Sequence, residues 1–243
     1  LVYTNTKFKS YTKSIGLFIV LLSVSAVVEN NMWWHVDSLA VLFIALTIFF
    51  LDLDDLRFGR NFFLAAASTG LAAGIKVIGL FFALAVPSYL LLGILKKRLT
   101  WPTAAIRSAA FVGIMAAVIF ISNPFLIYRS QFNKMIEILS RQAFFQTQGW
   151  VLTYAKGPAS WLPIIKDLYG QIIFIALAFV ALALGLWRRE SRARHLVVAL
   201  WTIPFGLYVL FAIAIKPTHF FLPILLPLYA CLAIFFEIPP FTE

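Results

Sequence analysis

Charge is the scarcest ingredient of this chain. Only 12% of its 243 residues are charged, about half the share of a soluble globular domain, roughly 25%. So few charges cannot clothe a water-facing surface, which argues against an ordinary soluble enzyme or binding module. Acidic residues are fewest, 10 against 20 Lys and Arg. Cysteine is nearly missing as well: the lone Cys231 excludes an intramolecular disulfide and any cysteine-built metal cluster. Strand-like alternation of apolar and polar residues is also missing, so membrane spans would be helices and not barrel strands. Gly70, Gly74 and Gly79 fit no phosphate-binding fingerprint behind a strand. The net charge of +10 gathers into no basic stripe outside the short connections. No nucleic-acid partner is therefore expected, and the excess reads as the positive charge that holds cytoplasmic loops in place.

What the chain has in abundance is hydrophobicity, 62% of its residues and a mean hydropathy of +0.93. An apolar helix needs about 20 residues to cross about 30 Å of hydrocarbon. Read between charged punctuation, the chain offers about eight such runs, near 14–28, 36–51, 62–75, 77–95, 104–121, 172–187, 196–215 and 220–236. The expected fold is an all-α polytopic transmembrane helix bundle, one membrane domain over residues 1–243. Residues 61–95 are interrupted only by Lys76, and as one helix they would run about 52 Å. That exceeds one crossing, so two short helices are expected to turn near Gly74-Ile75-Lys76. The opening LVYTNTKFKSYTKS lacks the apolar core of a signal peptide, and the chain reads as an internal piece of a longer protein.

One long polar segment, about 123–170, stands apart. Within it Phe132, Met135, Ile136 and Leu139 follow helical spacing against Lys134, Glu137 and Arg141, predicting an amphipathic helix on the membrane plane. Gly157-Pro158 and Trp161-Leu162-Pro163 read as loop with aromatic anchors. Short basic connections such as Lys96-Lys97-Arg98 and Arg188-Arg189 place one side in the cytoplasm and the long segment outside. Asp52, Asp54 and Asp55, beside Arg57 and Arg60, then read as a solvated cytoplasmic turn.

Three constellations on the outer side carry possible chemistry. Glu29, His35 and Asp37 lie in ENNMWWHVD, where a carboxylate or imidazole accepts a proton or ligates a divalent cation. The bland alternative is a solvated loop anchored by Trp33 and Trp34, with Asp37 favoured near a helix N-terminus. Lys76, alone at the turn of an apolar tract, suits an anionic phosphate, or it snorkels to headgroups. Lys216 and His219, in KPTHFF, suit the same phosphate, or simply anchor a helix start.

Taken in order, HVDSLAVLFIALTIFFLDL, GLAAGIKVIGLFFAL, NPFLIYRSQF and KPTHFFLPILLPLYACLA resemble the membrane region of the GT-C glycosyltransferases, in particular the protein mannosyltransferase and aminoarabinose transferase branch. The resemblance is of pattern and covers most of the chain. It implies transfer of a sugar from a polyprenyl-phosphate donor to an acceptor, whether protein, lipid or glycan, at the extracytoplasmic face of a multi-pass membrane protein. It also implies that Asp37 supports catalysis together with His35, that the principal base lies before Leu1, and that this piece is inactive alone. Lys76, Lys216, His219 and Arg129 would bind substrate. A divalent metal, if used, would sit at Asp37 and Glu29. The rival readings are a transporter or flippase for a lipid or anion, which needs polar groups deep in the spans, and a non-catalytic membrane scaffold.

Overall fold

The computed structural model describes residues 11–32, 36–149, 151–169 and 172–237. Among these every regular element is helical, as the absence of alternation required. The order is α1 (Tyr11–Leu22), α2 (Ser25–Met32), α3 (Val36–Asp54), α4 (Arg60–Ile75), α5 (Phe82–Leu95), α6 (Trp101–Ser122), α7 (Arg129–Gln148), α8 (Pro158–Leu168), α9 (Ile172–Trp187), α10 (Arg192–Ala212) and α11 (Leu222–Ala230). Short 3₁₀ turns cover Val77–Phe81, Pro124–Ile127 and Cys231–Glu237.

Among the described residues, four helices are long and apolar enough to cross a membrane, or six if each bent pair forms one span. This count, by length and composition, stands below the expected eight among the described residues. The first run breaks into α1 and α2, bent by 79°. Ser23 Oγ turns back there onto Val20 O at 2.7 Å. The 16 residues of α4 give about 24 Å of helix, short of the hydrocarbon core. In the last run the α-helix stops after nine residues and tightens into 3₁₀.

The core forms where α3 packs on α4 and α11, α4 on α6, and α5 and α9 on α10. Small residues set the tightest crossing: a methyl group on Gly70 would come 2.7 Å from Met115 O, and one on Gly74 2.8 Å from Asn123 Nδ2. Such side chains let membrane helices approach closely. Trp201 stacks between Phe82 and Phe205 and donates its indole N–H to Pro223 O at 3.0 Å. That bond fixes the height of α11 against α10.

Two sequence expectations need correction. Residues 158–168 are a helix and not a loop, because Pro158 stands at its first position, where a missing N–H costs nothing. The acidic run is a solvated turn only in part: Asp55 is exposed, Asp52 is half-buried and Asp54 is not solvated. Asp54 is buried and accepts from Phe58 N–H at 2.8 Å and Gly59 N–H at 3.0 Å. Tyr89 Oη, from α5, receives Leu56 N–H at 2.7 Å and lies 3.1 Å from Asp54 Oδ2. These bonds hold Asp55, Leu56 and Phe58 in the left-handed region, which non-glycine residues rarely adopt. Asp52 pairs with Arg194 at 3.4 Å.

Candidate functional site: a buried carboxylate between a lysine and a histidine

The first turn of α3 carries Asp37, which the surrounding protein buries completely, 0% exposed. A helix N-terminus favours a carboxylate electrostatically, but a buried charge also needs partners, and removing one costs about 3–5 kcal/mol. Asp37 has them. Lys76 Nζ lies 2.6 Å from Oδ1, and His219 Nε2 lies 3.3 Å from Oδ2.

Lys76 reaches Asp37 because the chain breaks at the lysine itself. Its backbone is extended, with φ −150° and ψ 131°, between the end of α4 and the following 3₁₀ turn. The turn then folds back tightly: a methyl group on Gly79 would come 2.5 Å from Ala73 N, so only glycine fits. The break expected at Gly74-Ile75-Lys76 is present, and it aims the ammonium at α3. Phe220 lies under the same ammonium at 5.5 Å.

His219 comes from the connection between α10 and α11, and that connection is braced on several sides. Ala214 N–H donates to Gln146 O at 2.7 Å, and Tyr154 N–H donates to Ala214 O at 2.8 Å. Tyr169 does the most local work. Its hydroxyl donates to Thr218 O and accepts from Phe221 N–H at 3.3 Å, so it grips the backbone on both sides of His219. Burial pushes its phenol above the usual tyrosine range; the Phe221 N–H opposes this, while the charges of Asp37 and Glu29 reinforce it. Glu29, an exposed residue of α2, therefore shares an electrostatic neighbourhood with Asp37.

The remaining sequence candidates lie as follows. Lys216 rests over the Trp161 ring at 4.1 Å, with Ile213 O at 3.4 Å. Burial lowers its ammonium pKa below the ordinary lysine range. Arg129 is exposed at the start of α7, about 26 Å along that helix from Gln146, the α7 residue that borders the cluster. It is thus not brought into the cluster. His35, with Trp33 and Trp34, lies outside the described residues. Lys76 contacts one oxygen of the Asp37 carboxylate and His219 the other. Among the described residues no three His, Cys, Asp or Glu side chains converge on a common point.

Lys76 and His219 keep 26% and 20% of their side chains exposed and border a small cavity of 30 Å³ with Gln146, Phe205, Tyr208, Phe220 and Pro223. That is room for about two water molecules. Tyr169 and Gln146 escaped sequence reasoning. Tyr169 sits in an aromatic stretch like many others, and nothing local links it to a residue 49 positions away. Fold and site together define a helical membrane-type protein with a buried carboxylate held between a partly exposed lysine and a partly exposed histidine. No protein-family model, no curated protein and no solved structure matches the chain.

Proposed function

We propose that the chain is part of a glycosyltransferase that moves a sugar from a polyprenyl-phosphate carrier to an acceptor at the extracytoplasmic face of the membrane. The observation that carries this reading is the Asp37 carboxylate with Lys76 Nζ at 2.6 Å and His219 Nε2 at 3.3 Å. Asp37 orients Lys76 and His219 and offsets the lysine's charge, so both can turn toward a phosphate without standing unpaired before it arrives. In the transfer step the acceptor hydroxyl oxygen bonds to the anomeric carbon. The bond from that carbon to the phosphate oxygen breaks, and its electron pair stays on the departing polyprenyl phosphate, where Lys76 and His219 stabilise the charge. The hydroxyl proton passes to a carboxylate base. The amphipathic α7, with none of its residues fully buried, would lie on the outer membrane surface.

A transporter needs polar groups free to line a path through the spans. Ser23 spends its hydroxyl on Val20 O, and Thr47 spends its own on Phe43 O and Thr69. Thr202, buried without a hydrogen-bond partner among the described residues, opens onto an apolar cavity. Ser23 and Thr47 therefore favour the transferase. The test is release of polyprenyl phosphate from a polyprenyl-phosphate hexose in proteoliposomes of the whole transferase. Loss of one charge-stabilising donor costs about 10²–10³ in turnover, and Lys76→Ala and His219→Ala are each expected to fall in that range. Unchanged turnover in both variants overturns the assignment.

A further inference from the structure

Arg107 is a cation that the transfer step leaves unused, set into the membrane-length helix α6. Trp101 opens that helix, and Arg107 stands about 9 Å along the axis from there. Little protein surrounds it. Only 11% of the apolar stretch of α6 is buried, against 33% in α3 and 44% in α10, so the bilayer is the main neighbour of α6. The half-buried Arg107 guanidinium rests over the Phe63 ring at 5.2 Å and pairs with no carboxylate among the described residues. A charge inside a span with no counter-charge calls for a functional explanation.

A second cation stands at the same level. α4 and α6 run side by side in one direction: the Phe62 and Phe111 rings lie 5.1 Å apart, and further along Gly70 faces Met115 and Gly74 faces Asn123. Arg60, one turn before Phe63 on the same face of α4, is exposed and likewise has no acidic partner among the described residues. A methyl group on Gly93 would meet both Phe58 and Leu99, so the exposed Lys96, Lys97 and Arg98 come down beside this end of α4. The nearby carboxylates are engaged elsewhere. Asp54 holds Phe58 N–H and Gly59 N–H, Asp52 pairs with Arg194, and Asp55 borders Tyr89 and Arg194 on the side of α10.

We infer that the adjoining first turns of α4 and α6 bind an anionic phospholipid of the surrounding bilayer, with Arg107 and Arg60 holding its phosphate. The inference is independent of the transferase reading. A guanidinium grips a phosphate with two parallel N–H···O bonds and sheds its water more readily than an ammonium does. Arg107 is flanked by the exposed apolar side chains of Ile106 and Val112, so a phospholipid lying against α6 brings its phosphate there without leaving the membrane. The net charge of the headgroup decides between lipids. A choline or ethanolamine headgroup carries an ammonium, which finds repelling cations here and no carboxylate, whereas an anionic headgroup meets charge of the opposite sign. Short basic connections also point to the leaflet that is rich in anionic lipid.

The experiment places the protein in phosphatidylcholine nanodiscs that contain a rising fraction of phosphatidylglycerol, with a diazirine near the headgroup end of one acyl chain. Labelling of α4 and α6 is expected to saturate and to be displaced by unlabelled phosphatidylglycerol. Arg107→Gln and Arg60→Gln are each expected to raise the half-saturating fraction about tenfold, the effect of losing one hydrogen-bonded charge. Arg60 is exposed, so Arg60→Gln tests the site even where the fold does not tolerate Arg107→Gln. Arg189→Gln removes the same charge from the exposed connection between α9 and α10 and is expected to leave the half-saturating fraction unchanged. Labelling that ignores both Arg107→Gln and Arg60→Gln overturns the inference. An equal shift in Arg189→Gln overturns it too, because the lipid is then drawn by diffuse surface charge and not by this pair. Labelling abolished by inorganic phosphate assigns the arginines to a water-soluble anion and overturns the lipid as their partner.

Discussion

At the scale of the residue, the central feature is a buried carboxylate whose partners come from two distant parts of the chain. Asp37 and Lys76 each stood out in the sequence because an isolated charge beside an apolar run needs a reason. Their pairing was not legible, since 39 positions separate them and nothing in either local pattern names the other. The same blindness misread Asp54: a cluster of acids beside arginines looks solvated until Tyr89, contributed by another helix, covers it. The pairing has an energetic signature. Lys76→Met leaves Asp37 buried with one partner fewer and is expected to destabilise the protein by about 3–5 kcal/mol. Asp37→Leu together with Lys76→Met removes the charge along with its partner and is expected to recover most of that loss. Reversible unfolding in detergent measures both. A double variant no more stable than Lys76→Met would show that the ion pair is not what holds α3 to the α4 break.

At the scale of the element, most helices follow the apolar runs closely. The run near 36–51 became α3 (Val36–Asp54), and the run near 172–187 became α9 (Ile172–Trp187), because burial in a bundle or bilayer demands the same residues that a hydropathy reading selects. Breaks were harder to see. The one at Lys76 carried a signal, a tract too long for one crossing, whereas the bend at Ser23 did not, since serine tolerates the helix. The connection that carries His219 was visible as KPTHFF, but its conformation depends on Tyr169. This makes Tyr169 a positioning residue with a measurable role. Tyr169→Phe removes the hydroxyl and leaves Thr218 O and Phe221 N–H without that partner, at about 1–3 kcal/mol for each buried group left unsatisfied. The expected outcome is a modest fall in melting temperature and, in the transfer assay, a larger fall in kcat than rise in KM, because His219 is no longer held on Asp37. A fall in stability with kcat unchanged would reduce Tyr169 to scaffolding.

At the scale of the whole molecule, composition alone gave the all-helical, membrane-type character, and four to six spans agree with it. The number of crossings was less legible because a hydropathy run reports how apolar a segment is and not whether its backbone stays straight. Orientation rests on charge: Arg188, Arg189, Arg192 and Arg194 cluster around the connection between α9 and α10, while Asp37, Lys76, His219 and Tyr169 meet at another level of the bundle. If basic short connections mark the cytoplasmic side, the cluster faces outward. The single cysteine makes this directly measurable. Cys231 is buried, so Cys231→Ala provides a background in which one new cysteine reports on one site. In intact cells a membrane-impermeant maleimide is expected to label Glu29→Cys and to leave Arg189→Cys unlabelled until the membrane is opened. The reverse pattern would put the cluster on the cytoplasmic side, where a carrier lipid exposing its sugar to the outer face could not reach it.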